Sequence, residues 1–203
     1  MNNKIVVIDY GLGNLASVAN ALEKLSIPYE VSSDIRFIKE AKAIILPGVG
    51  AAGQGMKNLK DKNLLTVIRT EVKNGKPILG ICLGMQLLFS DSEENNVMCL
   101  DLIKGKVKKF QTTLKIPEIG WNQVKITNKQ TKLFANIPNN SNFYFVNSYY
   151  CEPDDKSIIA ANTAYGSEFC SVLVKENIYG VQFHPEKSGE IGLQLINNFC
   201  DSL

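Results

Sequence analysis

The stretch Gly80-Ile81-Cys82-Leu83-Gly84-Met85-Gln86 most constrains what this chain can fold into. The apolar run Pro77 to Ile81 leads into it, and the apolar segment Met85 to Phe89 leads out. A strand that passes directly into a helix, with a reactive side chain at the junction, belongs to an α/β sheet. Glycines at −2 and +2 let the backbone turn sharply and hold the Cys82 thiol at the top of that sheet. Amides at the start of the helix are free to receive negative charge, and the same helix end favours thiolate over thiol. Taken alone, the stretch reads more readily as a buried core cysteine beside a glycine turn. The deciding residues lie elsewhere in the chain.

The surrounding pattern agrees with an α/β sheet. Lys4 to Asp9 is a continuous apolar strand, as expected where both faces of a parallel sheet are covered. Leu15, Val18, Ala19 and Leu22 then recur at helical spacing. Tyr29 to Ser32 and Ala43 to Leu46 are predicted strands. Leu65, Ile68 and Val72 mark a helix that stops near Asn74-Gly75. Alternating strands and helices predict a doubly wound, mostly parallel sheet with flanking helices. The polar run Ser90 to Asn96 reads as a surface loop. Short β-like runs follow: Gly105–Phe110, Val124–Thr127, Phe143–Tyr150, Ile158–Ala161, Ser171–Lys175 and Ile178–Phe183. The second half is therefore expected to be antiparallel-rich and packed on the first. Ile191, Leu195 and Phe199 predict a closing helix.

With 203 residues, the chain is expected to form a single domain over 1–203. A net charge of +2 with scattered lysines points away from a nucleic-acid partner. The Lys104–Lys109 segment reads as an exposed strand face. No apolar run is long enough to span a bilayer. Cys82, Cys99, Cys151, Cys170 and Cys200 are odd in number and lack Cys-x-x-Cys spacing. With no secretory signal at Met1-Asn2-Asn3-Lys4, free thiols in a reducing cytosol are expected. His184 is the sole histidine, so multi-histidine metal sites are excluded, and no metal or cofactor is expected.

Any cysteine–histidine chemistry must therefore use His184. This residue ends the strand Ile178–Phe183, where α/β proteins place functional groups. His184 can take a proton from Cys82 and return it to a leaving amine. On an extended backbone, Glu186 points to the same side and orients the imidazole. Pro47-Gly48-Val49-Gly50 ends another parallel strand. Its amides, with that of Leu83, can form an oxyanion hole, although two glycines alone fit an ordinary turn. Gly11-Leu12-Gly13-Asn14-Leu15-Ala16 matches G-x-G-x-x-A, and Glu30 lies about 20 residues on, as in dinucleotide binding. Glu30 falls inside its strand rather than at the end, so a tight turn into a helix cap is the preferred reading.

Gly-Ile-Cys-Leu-Gly-Met-Gln with Phe-His-Pro-Glu resembles the class I, triad-type glutamine amidotransferases across essentially the whole chain. Asp9–Leu15, Leu46–Gly50, Gly120-Trp121-Asn122, Tyr144–Tyr149 and His184–Ser188 are similar to the glutaminase-subunit family of imidazole glycerol phosphate synthases. The resemblance implies that Cys82 attacks the carboxamide of glutamine, with His184 and Glu186 completing a triad. It implies that Val49, Gly50 and Leu83 bind the oxyanion. Gln86, Glu94, Ser148 and Tyr149 are then expected to hold the substrate, Glu94 by its α-amino group. Asn14, Trp121, Tyr144 and Lys187 are expected to face a partner, with capping, core packing or simple solvation as the alternatives. Because the two halves leave no stretch to accept ammonia, a partner is expected. By family it is a (β/α)8-barrel cyclase subunit, in a heterodimer serving histidine biosynthesis in the cytoplasm. Glu118 and Asn147 stand where the family has histidines, in segments similar to its glutamine-side and partner-side surfaces. The resemblance therefore also admits the paralogues that supply ammonia for amidination of a surface-polysaccharide sugar. A Cys–His peptidase, or a nucleotide-binding module using Gly11–Ala16, accounts for fewer of these residues.

Overall fold

The computed structural model describes residues 4–128 and 130–203. Met1-Asn2-Asn3, read above for the absence of a secretory signal, lie outside them. The first half runs β1 (Ile5–Ile8), α1 (Leu15–Lys24), β2 (Tyr29–Ser32), α2 (Ile35–Glu40), β3 (Ala43–Leu46), α3 (Ala52–Asp61), α4 (Leu64–Lys73), β4 (Ile78–Ile81), α5 (Leu83–Leu87). The second half adds the short β5 (Asp91–Ser92) and β6 (Val97–Met98), then β7 (Gly105–Lys109), β8 (Glu118–Ile126), β9 (Ser141–Asn147) and β10 (Tyr149–Pro153). β11 (Ile159–Tyr165), β12 (Ser167–Lys175), β13 (Ile178–Val181) and α6 (Gly189–Asp201) complete it.

The apolar runs are strands because their alternate residues feed two different hydrophobic layers. In β1, Val6 and Ile8 pack to one side while Ile5 and Val7 pack to the other. β3 divides in the same way, Ile44 and Leu46 against Ala43 and Ile45. Helices α2 to α5 cover the first side through residues such as Ile38, Met56, Ile68 and Leu83. Helices α1 and α6 cover the second through Val18, Leu22, Leu195 and Phe199. Burial on both faces removes the need for a polar face, as a parallel sheet requires. The parallel core has the order β2-β1-β3-β4-β13. The sheet continues antiparallel through β12, β10 and β7, and β11 carries a branch to β8 and β9. The doubly wound sheet with an antiparallel-rich second half is therefore present. Among the described residues, no helix is long and apolar enough to cross a membrane.

Two predictions of local structure need correction, and two helices were not predicted. Ser90–Asn96 is not simply a surface loop. Asp91-Ser92 pairs in parallel with β7, and Ser92 is buried. The run Phe143–Tyr150 is broken at Ser148 into β9 and β10, which belong to different parts of the sheet. Helices α2 and α3 have no counterpart in the sequence reading. The α3 segment carries two glycines and lacks a side-chain cap of its own, so its amides are met from a distance. Ala52 N–H donates to Glu94 Oε2 at 2.7 Å, and Gly53 N–H to Asn95 Oδ1 at 3.4 Å.

Candidate active site

The carboxyl ends of β1, β3, β4 and β13 bring together Asp9–Gly13, Pro47–Gly50, Cys82 and His184, the usual edge for function in such a sheet. Cys82 joins β4 to α5 with φ 53° and ψ −111°. For a residue with a Cβ, such a backbone costs about 1–3 kcal/mol, and the surrounding packing must enforce it. The flanking glycines have a different use from the sharp turn expected of them. Neither has a positive φ. A Cβ on Gly80 would lie 2.8 Å from the Gly84 oxygen and from the Met85 backbone. A Cβ on Gly84 would drive into the Leu46 carbonyl oxygen. The glycines let three backbone segments touch, and the strain of the turn falls on Cys82 itself.

His184 is placed by aromatic packing and by its own backbone. Phe183 stacks on Phe143 with ring centroids 4.0 Å apart and meets Phe145 edge-on at 5.5 Å. His184 N–H donates to Tyr144 O at 2.9 Å. Ser188 Oγ donates to His184 O at 2.6 Å and accepts from Tyr144 N–H at 3.0 Å. Pro185–Lys187 form one tight 3-10 turn, so Glu186 does not share an extended backbone with His184. The turn nonetheless sets Glu186 Oε1 2.9 Å from His184 Nδ1, with the side chains only 1% and 3% exposed. Burial lowers the imidazole's affinity for a proton. Hydrogen bonds to Cys82 and Glu186, with their charges, outweigh this and raise its pKa from 6.5 to about 10. A proton on the ring is therefore favoured by the sulfur on one side and by the carboxylate on the other. That set can move a proton between sulfur and a leaving amine.

A cleft of about 350 Å³ opens over Cys82 and His184. Val49, Gly50, Leu83, Gln86, Glu94, Ser148 and Tyr149 all line it, so the structure gathers every residue predicted for the oxyanion or for substrate. Lys187, predicted to face a partner, lines the same cleft. Gln86 Nε2 is already committed, donating to Tyr149 O at 3.2 Å and Gln182 Oε1 at 3.0 Å. Under the Pro47–Gly50 turn lies the Tyr10 hydroxyl, 2.5 Å from where a Cβ on Gly48 would sit. Burial first, and the nearby Cys82 second, hold that phenol well above its usual range.

Sequence reasoning missed three contributors. Gln182 is fully buried and its Nε2 donates to Cys82 Sγ at 3.7 Å. Its signal was a polar side chain inside the apolar run Ile178–Phe183. Val146 O accepts from the Cys82 thiol at 3.8 Å, which no sequence pattern announces. Ser188 fixes the His184 turn as described. The remaining partner-facing predictions lie outside the cleft. Asn14 occupies the N-cap position of α1 but its side chain makes no capping bond. Trp121 is 59% exposed and meets Tyr144 edge-on, with ring centroids 6.0 Å apart, so Trp121 is not core packing. Ile119, on the same strand, is 61% exposed. Glu118 and Asn147, placed above on surface-like segments, are instead buried.

A thiol at a strained strand–helix elbow, facing a buried imidazole–carboxylate pair, is the arrangement of thiol-dependent acyl-transfer enzymes. The family model described as glutamine amidotransferase class-I matches residues 6–203. The chain belongs to that family. It is similar to a protein of Moorella thermoacetica named imidazole glycerol phosphate synthase subunit HisH, 48% identical over 96% of this chain and 93% of that protein. A protein of the same name from Aquifex aeolicus is 46% identical over 97% and 95%. Among solved structures, PurLQS from Thermotoga maritima has a TM-score of 0.77 at 19% identity, covering 100% of this chain and 99% of that one. A glutamine amidotransferase has a TM-score of 0.76 at 16% identity, covering 97% of both chains. These two likenesses concern the fold.

Proposed function

We propose that the chain is the glutaminase subunit of an imidazole glycerol phosphate synthase, hydrolysing glutamine and passing ammonia to a cyclase subunit in histidine biosynthesis. The observation that carries the chemistry is the buried 2.9 Å contact of His184 with Glu186, behind a ring whose other side reaches Cys82. The relatives named as synthase subunits support the assignment of the acceptor.

In this reading the Cys82 sulfur attacks the side-chain carbonyl carbon of glutamine. The carbonyl oxygen becomes an oxyanion and receives amide N–H groups from Val49, Gly50 and Leu83. The C–N bond breaks as His184 gives its proton to nitrogen, and ammonia departs. Water, deprotonated by His184, then cleaves the thioester, releasing glutamate and restoring the thiol. Glu186 holds the imidazole throughout. Gln86, Glu94, Ser148 and Tyr149 grip the amino acid, and Glu94 does so while also capping α3. Residues 1–203 act as one amidotransferase domain, because the cleft takes Cys82 from the first half and Ser148 and His184 from the second. Asn14, Trp121, Tyr144 and Lys187 face the cyclase, a (β/α)8 barrel whose core receives the ammonia, and the pair works as a cytoplasmic heterodimer.

The test is glutamate release from glutamine with and without the histidine-pathway cyclase of the same organism. Turnover should rise when the cyclase is present. No rise with that cyclase, but a rise with a sugar-amidating system, overturns the assignment of the acceptor.

A further inference from the structure

Glu118 and Asn147 face each other directly across β8 and β9. Their residues are only 3% and 6% exposed. Each uses half of its polar head. Asn122 Nδ2 donates to Glu118 Oε1 at 2.7 Å, and Asn147 Nδ2 donates to Tyr149 O at 3.0 Å. The other two oxygens, Glu118 Oε2 and Asn147 Oδ1, are buried without a partner. Side chains of directly opposed residues leave the sheet on the same face, with Cβ atoms about 4.5–5.5 Å apart. Two unpartnered acceptors therefore lie on one face of an opposed pair, and a proton on the carboxyl lets a single bond satisfy both. We propose that Glu118 is a neutral carboxylic acid whose O–H donates to Asn147 Oδ1, making it a positioning residue for the cleft.

The surroundings support a neutral acid. Burying an ionised carboxylate without a charge partner is costly. Titratable groups on the neighbouring elements are Lys115 and Lys125 on and before β8, Tyr144 on β9, Tyr165 on β11, and His184, Glu186 and Lys187 on the turn after β13. Among the described residues, none of these bonds to Glu118: Lys125 pairs with Glu168, Tyr165 with Lys115 O, and His184 with Glu186. Burial raises the Glu118 carboxyl above its usual range, and the hydrogen bond from Asn122 only partly opposes this.

The proton completes a continuous path. Asn122, next to the exposed Trp121, donates to Glu118, and Glu118 donates to Asn147. Asn147 donates to Tyr149 O, which also receives Gln86 Nε2. Gln86 donates to Gln182, and Gln182 donates to Cys82 Sγ. Ionising Glu118 breaks the path between Asn122 and Asn147 and leaves both Glu118 Oε2 and Asn147 Oδ1 as bare acceptors. The turn at Ser148, between Asn147 and Tyr149, then loses its anchor beside the substrate.

The role in substrate binding rests on the glutaminase reading, and the test separates the two. Infrared spectra of the full chain at neutral pH should show a carboxylic-acid C=O band that Glu118→Gln removes. Because the folded pKa is raised above the unfolded one, the stabilisation is present below the unfolded value and lost as pH rises through the folded value. Wild-type stability should therefore fall with rising pH relative to Glu118→Gln. With the cyclase bound, Glu118→Leu leaves Asn147 Oδ1 unpaired and should raise the KM for glutamine about tenfold more than kcat falls. Glu118→Gln, which keeps both a donor and an acceptor, should restore KM. An unchanged band in Glu118→Gln, or a KM in that variant as poor as in Glu118→Leu, overturns the proposal. It would mean an ionised carboxylate bridged by water. A band that Glu118→Gln removes, in a wild type that turns over no glutamine, supports the proton on Glu118 and counts against the glutaminase reading.

Discussion

Replacing Cys82 with alanine should lower glutamine hydrolysis by at least about 10⁴-fold, the scale on which breaking a nucleophile–base unit acts. The fold should persist. Alanine keeps the Cβ, so the strained backbone at φ 53° is neither relieved nor worsened. The lost sulfur contacts are the one to His184 and the long ones to Val146 O at 3.8 Å and Gln182 Nε2 at 3.7 Å. Their removal should move stability by no more than about 1 kcal/mol. His184 remains beside Glu186, but it has no thiol to deprotonate and no covalent intermediate to protonate. Circular dichroism and urea unfolding report the fold, and glutamate release reports the chemistry. Undiminished release from a folded Cys82→Ala variant would remove Cys82 from the mechanism.

The second large effect falls on stability. Gly84→Ala places a methyl against the Leu46 carbonyl oxygen, a backbone atom held inside the parallel sheet. Neither β3 nor α5 can retreat without disturbing both layers of the core. Overpacking of this kind costs about 1–3 kcal/mol and more where backbone must move, so a loss of about 3 kcal/mol or greater is expected. Leu46 runs directly into Pro47–Gly50, so the predicted oxyanion turn should shift and activity should fall with stability. Gly75→Ala is the comparison. Its φ of 94° strains any side chain, but nothing lies within 4 Å of the added methyl, so about 1–2 kcal/mol is expected. Equal urea midpoints for wild type and Gly84→Ala would refute this account of the glycine spacing.

The sequence shows what local chemistry dictates. The parallel strands are legible because a strand buried on both faces needs apolar residues at every position, as in β1, β3 and β4. The Cys82 elbow and the His184–Glu186 cluster are legible because reactive groups at strand ends stand out from such runs. Features decided by distant contacts are hidden. Helix α3 forms over Ala52–Asp61 despite two glycines because Glu94 and Asn95 cap it. Only the end of β8 is legible, since from Ile119 to Gln123 the apolar Ile119 and Trp121 face outward and the part-buried positions are Gly120 and Asn122, the reverse of a core-facing strand pattern. The register that opposes Glu118 to Asn147 is set by the β8–β9 pairing. The sequence therefore marks both as unusual without showing that they are neighbours. The site carries the same lesson. His184 and Glu186 meet through a 3-10 turn rather than along a strand, and Gln182 is visible only as one polar residue in an apolar run.

The most direct test of the central claim is covalent labelling with a glutamine analogue that carries an electrophilic ketone carbon in place of the amide. The five cysteines are all free thiols. Burial pushes Cys99, Cys170 and Cys200 up to about 12 and Cys151 well above its normal range, leaving them protonated and unreactive at neutral pH. Peptide mapping by mass spectrometry should find the adduct on Cys82 alone, with competing glutamine slowing its formation. Modification of another cysteine while Cys82 stays free would contradict the account.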